Sequence, residues 1–225
     1  MEIKRFIWLD REFVDLSGES RPGSSVEEQT DDLLRRLQAE LKTEGLALEN
    51  CARITVFGRD RAARTAATVA RSKVFSGVNR VASSSFIAAD RFDSRGDVAL
   101  ELLALAPKAQ TAPREPVDFL PARNYLRFLR YDDLLFFSGF TSEAPNFDAQ
   151  VADVLDTLEG AFAAAGTGWG KVLKLTAFLQ RGHDFSAVRK AIGTRNQAMS
   201  AIECRFVDGF AGEKYLLEIE ATALA

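Results

Sequence analysis

The sequence is poor in the residues that most often bind metal ions. It has one histidine, His183, and two cysteines, Cys51 and Cys204, among 225 residues. Both cysteines stand in apolar stretches without the spacing of metal ligands, so we interpret them as reduced, buried side chains. His183 lies in the polar stretch QRGHDF and is predicted to be solvated. We therefore expect no metal ion and no other cofactor.

The sequence also lacks long hydrophobic runs. A membrane-spanning helix needs about 20 apolar residues, and no stretch of the chain approaches this composition. The N-terminus, MEIKRFIWLDREF, has charges on both sides of a short apolar run and no small-residue cleavage site, so it does not resemble a signal peptide. We expect a cytoplasmic protein with no membrane partner.

Neither sign of charge is in large excess. The chain has 29 basic and 32 acidic residues, which gives a net charge of −3. Because no broad positive field is available to attract phosphates, a nucleic-acid partner is not expected. The composition, 47% hydrophobic and 27% charged, is typical of a globular protein.

The sequence repeats itself at a constant offset of 121 residues. The strand-like stretch RITVFG at 53–58 returns as KLTAFL at 174–179, and Ser17-Gly18 returns as Ser138-Gly139. Two apolar stripes at helical spacing keep the same offset. They are Val26, Leu33, Leu34, Leu37 and Leu41 in the first repeat, and Phe147, Val154, Leu155, Leu158 and Phe162 in the second. Since strands, turns and stripes share one register, we conclude that the chain is a tandem duplication.

Each repeat is predicted to hold two strands, a long helix, a strand, a second helix and two closing strands. Ser25, with Glu28 in a capping box, and Asn146 are expected to begin the two long helices. The first repeat should have strands at 2–9, 12–17, 52–58, 81–90 and 97–106 and helices at 26–44 and 61–75. The second should have strands at 124–130, 133–140, 172–179, 200–210 and 214–223 and helices at 147–165 and 184–193.

A proline-rich segment separates the repeats. Residues 107–121, PKAQTAPREPVDFLP, contain four of the six prolines. Because proline lacks a backbone donor and fixes φ, we predict an extended linker with little secondary structure. This gives an N-terminal domain at 1–106 and a C-terminal domain at 122–225. Each is expected to be an α+β unit.

The order of elements and four short motifs resemble the Rid/YjgF family. The motifs are FFSGF (136–140), VLKLTAFL (172–179), HDFSAVRKA (183–191) and YLLEIEATA (215–223). Members of this family have been described as L-PSP endoribonucleases or translation-initiation inhibitors, and many act as imine or enamine deaminases. The resemblance covers nearly the whole chain as two tandem copies. It implies two chorismate-mutase-like domains, each a mixed or antiparallel sheet with two helices on one face, that assemble as a homo-oligomer, with a trimer favoured.

The resemblance also implies a set of site residues. In family sites, which lie in clefts between neighbouring domains, an arginine holds the substrate carboxylate and a glutamate on the final strand orients a water molecule. These positions correspond to Arg205 and Glu218, which are predicted to be catalytic. We take Glu218 to face inward and Glu220 to face solvent. Substrate contacts are implied for Tyr125, Ser138, Gly139, Phe140 and Arg189.

The chain departs from the family pattern at two of these places. The usual Pro-Ala-Arg-Ser/Thr is replaced by Glu203-Cys204-Arg205-Phe206, and Phe140 follows Ser-Gly where the family often has glutamine. A rival alignment through Met199 would leave the site without its arginine. These departures leave the substrate open.

The first repeat is degenerate at the corresponding positions. Ser84 lies near the position of the arginine, Lys4 stands where Tyr125 stands in the second repeat, and Glu101 is interpreted as the counterpart of Glu218. The first repeat is therefore predicted to supply structure and one wall of a cleft.

Three functions are compatible with these residues. The first is hydrolysis of a small carboxylate-bearing imine or enamine, in which Arg205 fixes the plane of the carboxylate and Glu218 positions water. The second is non-catalytic binding of a small metabolite of the keto-acid type. The third is a chorismate-lyase-like reaction on a cyclic enol ether. Ribonuclease activity is disfavoured by the acidic charge balance.

Overall fold

The N-terminal repeat folds into a five-stranded mixed sheet with two helices. The computed structural model of the protein describes residues 1–108, 113–121, 123 and 125–225. The elements of this repeat are β1 (Glu2–Trp8), β2 (Arg11–Glu19), α1 (Val26–Thr43), β3 (Cys51–Gly58), α2 (Arg61–Val74), β4 (Ala82–Ile87) and β5 (Val98–Leu105). The strand order is β1-β2-β5-β3-β4, in which β3 and β4 are parallel and the other neighbours are antiparallel.

The C-terminal repeat has the same arrangement with one extra strand. Its elements are β6 (Arg114–Asp118), β7 (Leu126–Tyr131), β8 (Leu134–Phe140), α3 (Phe147–Ala164), β9 (Val172–Gln180), α4 (Phe185–Arg195), β10 (Ile202–Val207) and β11 (Leu217–Leu224). The strand order is β10-β9-β11-β8-β7-β6, and β9 and β10 are parallel. The predicted α+β class and the tandem arrangement are confirmed.

The helices form where the predicted stripes and caps are. The Ser25 hydroxyl accepts a hydrogen bond from the Glu28 N–H at 3.2 Å, and Asn146 accepts one from Ala149 at 3.0 Å. The leucines of the α1 stripe are fully buried against their sheet, as are the matching residues of α3. These contacts cover one face of each sheet, so the opposite face of each is left for the other domain.

The proline-rich segment differs from its prediction. Residues 114–118 form strand β6, in which Pro116 pairs with Leu129 of β7 at the edge of the C-terminal sheet. An edge strand forms ladder hydrogen bonds on one side only, so a proline whose missing donor would face outward is tolerated there. Residues 109–112 of the predicted linker lie outside those that the structure describes. The same holds for Asn124, the first residue of the strand predicted at 124–130.

The two sheets meet through their helix-free faces. One apolar cluster joins residues of both repeats, including Phe13, Ala82, Leu129 and Phe136. A second joins Phe57, Phe86, Phe178, Val207 and Phe210, and within it the rings of Phe86 and Phe178 stack with centroids 4.0 Å apart. Because fully buried aromatic residues from both repeats share these clusters, the domains pack as one hydrophobic unit.

A buried arginine links equivalent turns of the two repeats. Arg11, which follows the β1–β2 turn, has a side chain that is 1% exposed and donates to Asp132, its counterpart at offset 121, at 3.1 Å. It also donates to Asp133. The repeat symmetry thus places a cation of one domain against two carboxylates of the other.

Replacing Arg11 by methionine should destabilise the protein moderately. The variant leaves Asp132 and Asp133 without this partner, and Asp132 is largely buried. Because both carboxylates keep some access to water, we expect the free energy of unfolding to fall by about 1–2 kcal/mol. Urea unfolding measures this change. The exposed Arg21 provides the control, and an equal change in Arg21→Met would contradict the assigned role.

Candidate functional site

A cavity of about 440 Å³ lies between the helix-free faces of the two sheets. Its apolar walls include Phe6 and Trp8 of β1 and Phe178 of β9, and its floor includes Thr55 and Thr176. Charged side chains from both domains surround this floor. They are Asp15, Arg53, Glu101, Lys174, Glu203, Arg205 and Glu220. A pocket with apolar walls and a few convergent charges is typical of a small-molecule site.

Arg205 points from β10 into this cavity. Its Nη1 donates to Oε2 of Glu101 at 2.6 Å and its Nη2 donates to Oε1 at 2.7 Å, so the guanidinium holds a carboxylate with two parallel hydrogen bonds. The same group lies 5.2 Å from the ring centroid of Phe57 and 5.4 Å from that of Phe178. Burial alone would lower the pKa of Arg205, but the hydrogen bond and charge of Glu101 outweigh it and raise this pKa.

Glu101 is shared by two arginines. Arg91, at the end of a short 3-10 turn, also donates to Oε1 of Glu101, and its guanidinium lies 4.1 Å from the centroid of Phe57. Burial pushes the pKa of Glu101 up, but the hydrogen bonds and charges of Arg205 and Arg91 outweigh this effect. The pKa therefore lies below its ordinary value, and Glu101 is ionised near neutral pH.

Two further carboxyl groups line the cavity. Burial raises the pKa of Asp15, and the charge of Glu101 raises it further against the opposing charges of Lys4, Lys174 and Arg205. Glu220 is 3% exposed, and its Oε2 lies 3.5 Å from Nε of Arg53. Among the described residues, its Oε1 has no hydrogen-bond partner. Burial and the neighbouring Glu101 thus both favour the protonated form of Asp15.

Sequence reasoning missed Glu220 because it applied the strand period wrongly. Residues two apart on a strand face the same side of the sheet, so Glu218 and Glu220 both point toward the N-terminal domain, and both are buried. The strand register also corrects the prediction that Glu101 of the first repeat is equivalent to Glu218 of the second. Thr55 pairs with Glu101 as Thr176 pairs with Glu220, so Glu101 corresponds to Glu220 and not to Glu218.

Glu218 does not line the cavity that contains Arg205. A Cβ added to Gly139 would fall 1.7 Å from Oε1 of Glu218, so the carboxyl group lies directly against this glycine. Burial raises the pKa of Glu218 to about 8, with the hydroxyl of Ser84 opposing this shift, the charge of Glu220 adding to it and that of Arg64 opposing it. The Ser138 hydroxyl accepts a hydrogen bond from the Ser83 N–H at 3.0 Å nearby. The predicted catalytic pair is therefore separated, since Arg205 lines the cavity and Glu218 lies buried outside it.

The first repeat has no arginine at the strand position equivalent to Arg205. Phe57 and Phe178 are equivalent residues of the two repeats. In the parallel strand pairs, Arg205 lies beside Phe178 and Phe86 lies beside Phe57. Phe86, and not Ser84, is therefore the counterpart of Arg205. Phe86 is fully buried and stacks on Phe178. An aromatic side chain thus fills the position that would hold the second guanidinium.

The other predicted contacts lie outside the Arg205 cavity. Phe140 packs on the helix side of its sheet, because the β8–β11 register shifts by one residue at Ser138-Gly139 and reverses the side chain that follows. Tyr125 is half-buried against Phe119, with ring centroids 5.3 Å apart. Arg189 is exposed on α4, with its guanidinium 5.1 Å from the centroid of Phe185.

The cysteines and the histidine have no place in this site. Cys51 is fully buried and burial raises its pKa to about 12, while the half-buried Cys204 faces the helix side of its sheet. His183 stacks on Phe147 with ring centroids 4.3 Å apart. Within the part of the chain that the structure describes, no group of three or more His, Cys, Asp or Glu side chains is arranged to hold a metal ion. No helix in that part is long and apolar enough to cross a membrane.

Comparison with known proteins gives one family and a set of similar folds. The family described as endoribonuclease L-PSP matches residues 116–225. A chorismatase crystal structure superposes with a TM-score of 0.69 and 14% identity, covering 98% of this chain and 79% of that one. This likeness extends over both domains. No curated protein sequence matches the chain.

Single-domain proteins match half of the chain. A YjgF-family protein from Mycobacterium tuberculosis has 24% identity and a TM-score of 0.44, covering 50% of this chain and 100% of its own. A YjgF-family protein from Neisseria meningitidis has 21% identity and a TM-score of 0.42, covering 50% and 94%.

Proposed function

Because the C-terminal half of this chain belongs to the endoribonuclease L-PSP family, also called Rid/YjgF, we propose that the chain is a hydrolase of a small carboxylate-bearing imine or enamine. The observation that carries this proposal is the bidentate pair of hydrogen bonds from Arg205 to a carboxylate at the wall of a cavity of about 440 Å³. Glu101 occupies the place of a substrate carboxylate. A guanidinium fixes both the position and the plane of such a group, which lysine does not.

Once a substrate carboxylate replaces Glu101 on Arg205, the neighbouring imine carbon lies in the cavity. Asp15 donates a proton to the imine nitrogen, while water adds to the carbon and releases a proton to Glu220. The resulting carbinolamine loses ammonia as the carbon–nitrogen bond breaks, with the third proton of ammonia supplied by Glu220. The hydroxyl proton returns to Asp15 as the carbonyl forms. Both carboxyl groups thus end as they began, in keeping with general acid and base roles.

Release of ammonia from freshly generated 2-iminopropionate tests this proposal. The wild-type protein should accelerate release over the uncatalysed rate, and Arg205→Ala should reduce kcat/KM at least about tenfold because a charge-assisted pair is lost. Arg35, which is exposed on α1, provides the matched control, and Arg35→Ala should retain the wild-type rate. An Arg205→Ala variant with undiminished kcat/KM would overturn the assignment of the site.

The two-domain likeness to a chorismatase favours a second candidate, hydrolysis of a cyclic enol ether. Such a substrate also carries carboxylates for Arg205, and it needs a proton donor, a role that Asp15 would fill. Consumption of chorismate without ammonia release from the imine would favour this candidate. Binding of 2-oxobutanoate without turnover of either substrate would instead indicate a binding protein. The trimeric state and the cytoplasmic location stay predictions, and light scattering tests the former.

A further inference from the structure

Glu101 lies between two guanidiniums that share one aromatic surface. Arg205 and Arg91 both donate to its carboxylate, and both lie within 5.2 Å of the centroid of Phe57. The side chains of Glu101, Arg91 and Arg205 are 21%, 28% and 25% exposed. Glu101 and Arg205 line the cavity, and Arg91 lines an adjoining cleft together with both of them. If Glu101 leaves Arg205, the hydrogen bond to Arg91 remains available to it.

A ligand carboxylate must compete with Glu101 for Arg205. The displaced Glu101 keeps its negative charge, because Arg91 still holds it within the same cluster. That charge then lies beside the ligand that has replaced it. The displaced Glu101 does not attract a ligand whose group next to the carboxylate is neutral or negative. It does attract a ligand that has a positive nitrogen next to its carboxylate.

We propose that Glu101 is the specificity-determining residue of the cavity. It occupies Arg205 in the empty site, moves to Arg91 when a ligand binds, and selects ligands that carry a cationic nitrogen beside the carboxylate. The inference rests on the proposed function, since it assumes that Arg205 binds ligand carboxylates. Within the proposed function, Glu101 favours the iminium form that arises when Asp15 protonates the imine nitrogen, and it disfavours keto acids of the same size.

Two stable probes with the same carbon skeleton test this inference. Calorimetric titration with 2-aminobutanoate and with 2-oxobutanoate gives the ratio of their dissociation constants. In the wild-type protein the ratio should favour the amino acid. In Glu101→Gln the preference should fall at least about tenfold, because 2-aminobutanoate loses its attraction to the charged side chain, whereas both probes gain equally from the weaker competition for Arg205. Glu101→Asp keeps the charge and should stay near the wild-type ratio.

A second carboxylate near Arg205 provides the control for general charge effects. Oε1 of Glu203 lies 4.0 Å from Nε of Arg205, but Glu203 pairs with Lys174 and not with Arg91. Glu203→Gln should change the ratio less than about twofold. Equal ratios in the wild type and in Glu101→Gln would overturn the selectivity while leaving the carboxylate site intact. If neither probe binds to any of these proteins, the proposed function is overturned, and the inference with it.

Discussion

Replacing Arg53 by methionine is expected to lower the free energy of unfolding by about 3–5 kcal/mol, because the change breaks a buried charge pair from one side. Arg53 extends from β3 across the domain interface. Its Nη2 donates to the carbonyl oxygens of Phe137 at 3.0 Å and Ala221 at 2.7 Å, beside the bulge where the β8–β11 register shifts. Its Nε faces the buried Glu220. Methionine fills the space but leaves two carbonyls without their donor and the Glu220 carboxylate without the neighbouring positive charge.

Urea unfolding at neutral pH measures the loss, and two variants identify its cause. Arg35→Met, at a side chain that is 73% exposed, should change stability by less than about 0.5 kcal/mol. Glu220→Gln in the Arg53→Met background should recover part of the loss, since it removes the uncompensated charge. A loss below about 1 kcal/mol in Arg53→Met would mean that the interface does not depend on this arginine.

The second large effect is a pH dependence of stability caused by Glu218. Burial raises its pKa from an ordinary 4.5 to about 8, so the folded protein keeps a proton that the unfolded chain releases in this range. The stabilisation from this proton is complete below about pH 4.5 and is lost as the pH rises through 8. Glu218→Gln removes the titration. Relative to the wild type, it should gain on the order of 3 kcal/mol between pH 5 and pH 9.

Urea unfolding at several pH values tests this expectation, with Glu143→Gln as the matched control. Glu143 is an exposed glutamate of the same domain, and its variant should follow the wild-type pH curve. If the curves of Glu218→Gln and the wild type run parallel from pH 5 to pH 9, the carboxyl group is not held neutral against Gly139.

Much of the fold could be predicted because the duplication provides each signal twice. The α1 and α3 stripes, their Ser25 and Asn146 caps and the paired strands all keep one offset, so local patterns agreed with each other. Strand β6 could not be found in this way. It has no counterpart in the first repeat, and Pro116 argued against a strand that in fact lies at a sheet edge.

The site was harder to predict because it depends on which surfaces face each other. The motifs located Arg205, but its partner Glu101 lies 104 residues away in the other domain. The sequence gives no measure of that proximity. It also predicted that Glu218 acts together with Arg205, because the family motifs include both residues without indicating whether both side chains line the same cavity. The bulge at Ser138-Gly139, which turns Phe140 into the core, is likewise set by strand pairing and not by local sequence.

The duplication has also made equivalent positions of the two repeats chemically different. In the second repeat, Arg205 lines a cavity that has carboxyl groups from both domains. In the first repeat, Phe86 occupies the equivalent strand position. Glu218, which lies against Gly139, is outside the cavity. This asymmetry is the physical reason to expect one carboxylate-binding site per chain.

A crystal structure with 2-oxobutanoate bound tests that claim most directly. The account predicts the ligand carboxylate on both Nη atoms of Arg205, with Glu101 withdrawn from Arg205 and still held by Arg91. Ligand density against Gly139 and Glu218, with the Arg205–Glu101 pair unbroken, would contradict it.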